Sequence, residues 1–285
     1  MTMLSSRWQN FASVSLFVLI WGSSAIFTRW GLDQSSVYLL LSLRFALALS
    51  ALFIISRFSK QPLLPPKGKR AIVFSTGFLL IALYSITYFQ SMDHGVTPGL
   101  IATIMGAQPI LTLAISERRF SFWRLAGLLL AFAGLTMVVY QSLVQAKLAP
   151  LGLIFAFAAL LCMTLGAILQ KRVQLAPSQV LPMQYVITLV MCLAFIPTQP
   201  LHIEFNWILL GSIIWLGLIV SVIAQLLLYR MIASGNLVNV TSLFYLVPVI
   251  TALLDYLLLG NRLSGLAIAG MLAILIGLAL VFKRS

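Results

Sequence analysis

Two charged side chains lie inside runs of otherwise apolar residues, and they are the residues most able to do chemistry here. They are Arg44 and Asp255, and a charge surrounded by apolar groups is costly unless it is paired. Arg44 could hold a substrate carboxylate or a helix C-terminus, but a structural pair or an anchor bonded to carbonyls is favoured. Asp255 could carry a coupling proton, but a pair with a base such as Arg44, Arg29 or Arg262 is favoured.

Polar and aromatic side chains recur within the same apolar runs and could line a cavity for a small molecule. Tyr84 and Tyr88 are four residues apart and share a helix face, and Gln225 and Tyr229 repeat that spacing. Aromatic walls with a few polar groups are typical of small-molecule sites, although Tyr and Trp also form belts at membrane surfaces. The candidate lining residues are Trp21, Ser24, Tyr84, Tyr88, Gln108, Gln184, Tyr185, Gln225 and Tyr245.

Two prolines fall well inside apolar runs. Pro109 and Pro248 should each free the carbonyl four residues earlier, at Met105 and Phe244, and bend the helix axis. A freed carbonyl in a membrane needs a partner within the protein or a water-lined cavity, so both bends should face the interior. The paired placement predicts two hinges, and the alternative is a pair of tolerated membrane-helix prolines.

Catalytic and metal-binding patterns are absent from the sequence. It has no His-Glu-x-x-His motif, no phosphate loop and no Ser-His constellation within the apolar runs, so we expect neither an enzyme nor a cofactor or metal. No pair of basic residues converges inside the membrane to hold a phosphate, which favours a neutral or zwitterionic substrate. Asp255 is the one acidic residue within a span that could carry a proton, and it lies near one end of that span, so facilitated diffusion or exchange is favoured. The alternatives are an intramembrane enzyme and a proton-coupled drug exporter that uses Asp255.

The composition shows which elements must position these residues. Of 285 residues, 61% are hydrophobic and 8% charged, whereas a soluble domain has about 25% charged residues. The chain is therefore predicted to be an all-α membrane protein without an attached soluble domain. Ten apolar runs are long enough to cross a bilayer, at residues 11–30, 37–56, 71–91, 96–115, 123–141, 149–169, 180–198, 207–229, 237–259 and 264–282.

The net charge of +13 follows from this topology. Fourteen of the 18 Lys and Arg residues, including Arg124, fall in loops and tails on the side of the N-terminus, where Glu117 also lies. Three fall on the opposite side, and Arg44 lies within a span. The positive-inside rule therefore places both termini in the cytoplasm. The basic surplus predicts contact with membrane lipids and not with nucleic acid.

The two halves of the sequence resemble each other. When Arg119-Phe120-Ser121 is aligned with Arg262-Leu263-Ser264, Gly127 meets Gly270 and Gly134 meets Gly277; upstream, Ala25-Ile26 pairs with Ala167-Ile168. Residues 1–145 and 146–285 then form two repeats of five spans each. An odd number of spans inverts the second repeat, and inverted repeats are typical of secondary transporters, with the substrate site at the repeat interface. Chance similarity between apolar helices is the alternative.

These residues carry a family resemblance. Trp21-Gly22-Ser23-Ser24, Arg44-Phe45, and the paired stretches that begin at Gln108-Pro109 and Val247-Pro248 resemble the drug/metabolite transporter superfamily, in its ten-span branch of two EamA domains. Asn261 stands where the family pattern usually has Glu. The resemblance implies a basket of ten helices around a central cavity and alternating access. It also implies a bacterial inner-membrane carrier of small molecules, such as an amino-acid or metabolite exporter, which we expect to work as a monomer.

Overall fold

The computed structural model describes residues 2–59, 62–117, 121–145, 149–259 and 264–283, with side chains from residue 12 onward except at 59, 141–142, 145, 251 and 254–259. Within these ranges the chain is helical, and extended segments meet only in one isolated bridge between Ser35 and Ile203. That bridge joins the loop before residue 37 to the loop after residue 198. Asn206 supports the junction by donating to the side-chain oxygen of Gln34 at 2.5 Å.

Ten helical segments occupy the positions of the predicted spans in the described ranges. Eight of them are long and apolar enough to cross a membrane, and α5 and α9 are shorter apolar helices. The prediction of an all-α polytopic membrane protein is therefore confirmed. The segments are α1 Thr2–Leu32, α2 Val37–Ser59, α3 Lys67–Asp93, α4 Pro98–Ser116, α5 Phe122–Val138, α6 Pro150–Lys171, α7 Pro177–Phe195, α8 Trp207–Ser234, α9 (Leu237–Ser242, Leu243–Tyr245 and Leu246–Leu259) and α10 Gly265–Lys283.

Local sequence signals explain where several helices begin. Pro98, Pro150 and Pro177 start α4, α6 and α7, where the missing N–H would have no helical partner in any case. Thr97 and Asn206 each accept a hydrogen bond from a backbone N–H of the following first turn, which satisfies one of the unpaired donors there.

The two predicted proline bends coincide with interruptions of regular helix. α4 consists of Pro98–Met105 and Gln108–Ser116, joined by a turn just before Pro109. In α9 a 3₁₀ turn, Leu243–Tyr245, comes shortly before Pro248. Helices are thus irregular at both sites, as the loss of a backbone donor requires.

Two further irregular segments have no proline to announce them. α3 widens into a π-helix over Gly77–Leu83, and α8 does so over Trp215–Ala224. π-helical turns are rare and concentrate at functional sites. Both segments begin at or near a glycine that packs tightly on a neighbouring helix, Gly77 against Gln184 and Gly217 against Arg44.

α5 and α10 pack backbone to backbone through four glycines. A Cβ added at Gly277 would lie 2.5 Å from the carbonyl oxygen of Gly127, and one at Gly270 would lie 2.6 Å from that of Gly134. Small residues allow such close approach of membrane helices. In the sequence alignment Gly127 matches Gly270 and Gly134 matches Gly277, whereas in space Gly127 contacts Gly277 and Gly134 contacts Gly270. A two-fold relation between the two halves predicts this reciprocal pattern.

Candidate functional site

A cavity of about 800 Å³ lies at the centre of the bundle, between helices of both halves. It is bounded by the later part of α1, the beginning of α4 and the end of α5, which all lie toward one end of the bundle. Seven of the nine predicted lining residues are in its wall. They are Trp21, Ser24, Tyr84, Tyr88, Gln108, Tyr185 and Gln225.

Arg44 supplies the charge of this cavity. Its Nε donates to the hydroxyl of Ser221 at 2.8 Å, and its guanidinium carbon lies 5.0 Å from the ring centre of Phe45 and 5.7 Å from that of Phe89. Those distances allow cation–π attraction. The described residues offer the guanidinium no carboxylate, so the predicted structural pair is not found among them, and its terminal nitrogens have no protein acceptor there. The side chain of Asp255 and the whole of Arg262 lie outside the described residues, while Arg29 pairs with Asp33 at 2.5 Å.

The wide turn of α8 presents Ser221 to Arg44. The Ser221 hydroxyl donates to the carbonyl of Leu216, five residues earlier, at 2.8 Å, and its oxygen is then free to accept from Arg44. The Ser221 carbonyl in turn accepts from the Tyr185 hydroxyl. The Tyr185 ring lies 5.2 Å from that of Phe45. One serine therefore links α2, α7 and α8 at the cavity wall.

Aromatic rings form much of the remaining wall. The rings of Tyr84 and Tyr88 lie next to each other along one helix face, tilted by 53° with ring centres 5.7 Å apart, which confirms the shared face predicted from their spacing. Across the cavity, the ring of Trp21 lies 5.3 Å from that of Phe244 in an edge-to-face arrangement. Ser24 also lines the cavity, although its hydroxyl already donates to the carbonyl of Trp21 at 2.6 Å. Such a wall suits a small molecule with an apolar or aromatic side.

Gln184 and Tyr245 are not in the cavity wall, so their predicted placement there is wrong. Gln184 is fully buried, and its amide nitrogen donates to the Thr76 hydroxyl at 2.7 Å and to Gln170 at 3.2 Å. Its amide oxygen accepts from the Tyr229 hydroxyl at 2.7 Å. We call these four side chains the glutamine network. Tyr245 is buried instead in a separate apolar cluster of α4, α5, α9 and α10.

The two predicted hinges differ in their surroundings. Pro248 lines the cavity together with Val247 and Phe244. Pro109 is buried but is not part of the cavity wall, although its neighbour Gln108 is. Both bends therefore lie in the bundle interior, as expected, and their role as hinges stays a prediction.

The opposite end of the bundle is closed by polar contacts that the sequence analysis missed. Arg124 donates to both carboxylate oxygens of Glu117 at 2.7 and 2.8 Å, and to the amide oxygens of Asn236 and Asn239 at 2.6 and 2.9 Å. We call these four side chains the polar clamp. Arg124 is only 5% exposed, so counting it as a solvated loop charge is wrong. The clamp joins α4, α5 and α9 at the ends of these helices that lie away from the cavity.

A second cation seals the same end. The Lys171 ammonium, at the end of α6, donates to the carbonyls of Ile232, Ala233 and Gly235 at 2.7, 2.9 and 2.6 Å. These are the unpaired carbonyls at the C-terminus of α8, where a positive charge is stabilised. In the described part of the chain, the residues that line the cavity thus lie toward one end of the bundle, and hydrogen-bonded networks hold the other end together.

Comparison with known proteins identifies a family, relatives and a solved structure that resemble this chain. Residues 11–140 and 150–283 each match the model of the EamA-like transporter family. A probable amino-acid metabolite efflux pump of Salmonella typhimurium LT2 is 26% identical over 96% of this chain and 94% of its own length. One of the same description from Escherichia coli K12 is 27% identical over 92% and 91%. A crystal structure that is 17% identical superposes with a TM-score of 0.78 over 97% of this chain and 98% of its own, which shows a shared fold.

Proposed function

Because the chain belongs to the EamA-like transporter family, we propose that it is a secondary carrier that exports small amino-acid-like solutes by alternating access. Two of its relatives are described as probable amino-acid metabolite efflux pumps, and this description supports the substrate class. We place the carrier in the bacterial inner membrane as a monomer, since the cavity is built from helices of a single chain. The two halves, residues 1–145 and 146–285, act as inverted repeats around it.

The observation that carries this proposal is the state of Arg44. Its two terminal nitrogens have no protein acceptor among the described residues, and none of the described residues that line the cavity is acidic. A guanidinium in that situation is suited to a bidentate bond with a carboxylate. The substrate would therefore bring the negative charge that the described cavity wall lacks.

The rest of the wall suits the remainder of an amino acid. The amide oxygens of Gln108 and Gln225 can accept from an ammonium group, and the rings of Tyr84 and Tyr88 can attract it by their faces. Trp21 and Phe244 offer an apolar surface to the side chain. This arrangement fits a zwitterion better than a phosphate ester, which would require a second cation.

The closed and open ends of the bundle suggest which state of the cycle is described. If both termini face the cytoplasm, as the distribution of Lys and Arg predicts, the cavity faces outward and the polar clamp closes the cytoplasmic side. We propose that bending near Pro109 and Pro248, together with the two π-helical segments, allows the ends to exchange roles. Because the described cavity wall holds no carboxylate to carry a proton, we propose facilitated diffusion or exchange.

Counterflow in proteoliposomes tests this function. Purified protein is reconstituted with unlabelled amino acids inside, one amino acid per batch, and entry of the same labelled amino acid is measured. Transient accumulation above the equilibrium level is expected for a subset of amino acids, because a carrier exchanges faster than it returns empty. Flux that does not saturate and is not stimulated by internal substrate would contradict a carrier. Liposomes without protein and liposomes with an Arg44→Gln variant are the controls.

A further inference from the structure

A second concave surface lies on the outside of the bundle, away from the central cavity. This lateral groove has a volume of about 630 Å³ and runs between α2, α7 and the segment that follows α2. Its walls are almost entirely apolar. The residues that matter to the argument are Phe53 and Ile54 on α2, Leu63 and Leu64 on the connecting segment, and Met183 and Val186 on α7.

Among the described residues, the groove wall offers no free polar side chain to a hydrophilic ligand. Ser50 contributes a hydroxyl group to the groove wall, but that hydroxyl already donates to the Ala46 carbonyl at 2.9 Å within α2. Phe53 and Ile54 are 57% and 56% exposed, and Leu64 is 59% exposed. Three such large apolar side chains around one groove on a membrane protein are suited to an acyl chain.

Two arginines lie on segments that adjoin this groove, although neither is part of its wall. Arg57 follows Phe53 by four residues and Ile54 by three, so it lies on the same face of α2, one turn beyond the groove. Arg70 donates from Nε to the carbonyl of Pro65 at 3.3 Å, which holds it beside the segment that carries Leu64. Both side chains are exposed, and the sequence from residue 57 to residue 70 contains no acidic residue.

We propose that the lateral groove binds one anionic phospholipid, with an acyl chain against Phe53 and Ile54 and the phosphate between Arg57 and Arg70. Charge complementarity carries the choice of occupant, because guanidinium groups pair closely with phosphate oxygens and basic residues at a membrane surface favour anionic headgroups. α2 and α7 come from different halves, and they also meet at the Phe45–Tyr185 ring contact. The bound lipid therefore spans the seam between the halves, a role beyond the proposed transport of solutes.

Native mass spectrometry tests the site. Purified protein is exposed to equal amounts of phosphatidylglycerol and phosphatidylcholine with identical acyl chains, and the retained lipid is counted. The wild type should retain one phosphatidylglycerol in preference. Arg57→Gln/Arg70→Gln should lower that preference by about tenfold or more, since each basic residue near an anionic lipid contributes roughly fivefold. Arg57→Lys/Arg70→Lys should keep most of it, which also controls for folding.

Two matched variants separate this site from general attraction. Arg172→Gln/Arg230→Gln removes the same number of exposed charges outside the groove and should leave the preference unchanged. Ser50→Trp fills the groove but keeps both arginines, and should reduce retention of phosphatidylglycerol. The proposal is overturned by a wild type without preference, by equal losses in the two arginine pairs, or by full retention in Ser50→Trp. Displacement by soluble glycerol 3-phosphate would also overturn it, since that result assigns binding to the headgroup alone.

Discussion

Arg44 and Gln184 occupy matching places in the two halves of the bundle. A Cβ added at Gly217 would lie 3.1 Å from the carbonyl oxygen of Arg44, and one at Gly77 would lie 2.7 Å from Cγ of Gln184. The same helix contact is thus made twice, once with the glycine of each half. Yet Arg44 faces the open cavity, whereas Gln184 is enclosed in the glutamine network. Two equivalent positions, one open and one closed, are what a single state of an alternating-access carrier should display.

Arg44 should determine affinity for the substrate carboxylate. Replacing it by Gln removes a charge-assisted interaction, and the apparent Km for an exported amino acid should rise roughly tenfold to a hundredfold. For the amide derivative of the same amino acid, which lacks the negative charge, the apparent Km should be similar in the wild type and in Arg44→Gln. Flux into proteoliposomes measures both. Arg230→Gln, which removes an exposed charge outside the cavity, is the control, and an equal effect of the two variants would exclude the assigned role.

Ser221 should act through Arg44. Ser221→Ala removes the acceptor of the Nε hydrogen bond, and affinity should fall about fivefold because the guanidinium loses its orientation. In an Arg44→Gln background the same change should have little further effect, since residues in one network are not independent. Ser221→Thr keeps the hydroxyl and should preserve most of the affinity. Additive losses in the double variant would show that Ser221 acts independently.

Gln184 should affect stability more than affinity. Gln184→Ala leaves Thr76, Gln170 and the Tyr229 hydroxyl without their present partners, and an unsatisfied buried group costs about 1–3 kcal/mol. The thermal unfolding midpoint in detergent should fall, while the Kd of the folded protein for substrate stays unchanged. Tyr84→Ala, in the cavity wall, should show the opposite pattern. A raised Kd for substrate with an unchanged thermal unfolding midpoint in Gln184→Ala would contradict this assignment and indicate that Gln184 contacts the substrate.

The close contact of α5 and α10 should be intolerant of a single methyl group. Gly277→Ala places a Cβ 2.5 Å from the Gly127 carbonyl oxygen, and overpacking of this kind costs roughly 1–3 kcal/mol. Gly265→Ala in the same helix is the matched control, because a Cβ there meets no atom of the described residues within 4 Å. Thermal unfolding should distinguish the two variants clearly. Equal midpoints would mean that the two helices can separate without loss of stability.

The membrane architecture could be predicted from the sequence, because lipid demands long apolar helices and leaves few alternatives. The aromatic part of the cavity wall could also be predicted, since the spacing of Tyr84 and Tyr88 places both rings on one face. The sequence could not distinguish Arg44 from Gln184 in the same way. Both are polar residues within spans, and the packing of the folded helices determines which of them faces the cavity.

The polar clamp escaped prediction for a different reason. Glu117 and Arg124 lie near helix ends, where charged residues are commonly solvated, and nothing local shows that Asn236 and Asn239 of a distant helix complete their hydrogen bonds. The π-helical turns likewise have no strong local signal, since they depend on tertiary packing at Gly77 and Gly217. Contacts between distant segments therefore decided most of what sequence reasoning missed.

Alternation between the two ends is the central claim, and Ala25 and Ala167 offer the most direct test. They align in the two halves, but Ala25 lines the cavity and Ala167 is 1% exposed. Each is changed to Cys in a chain whose native Cys162 and Cys192 are replaced by Ala. Labelling by a membrane-impermeant maleimide is then measured from either face, with the clamp intact and with Arg124→Gln.

With the clamp intact, the Cys that replaces Ala25 should react from the outer face, and the Cys that replaces Ala167 should be protected. With Arg124→Gln, labelling of position 167 from the cytoplasmic face should rise as labelling of position 25 falls, because one population converts into the other. Arg172→Gln should change neither. Persistent protection of position 167, or simultaneous labelling of both positions with the clamp intact, would contradict alternating access.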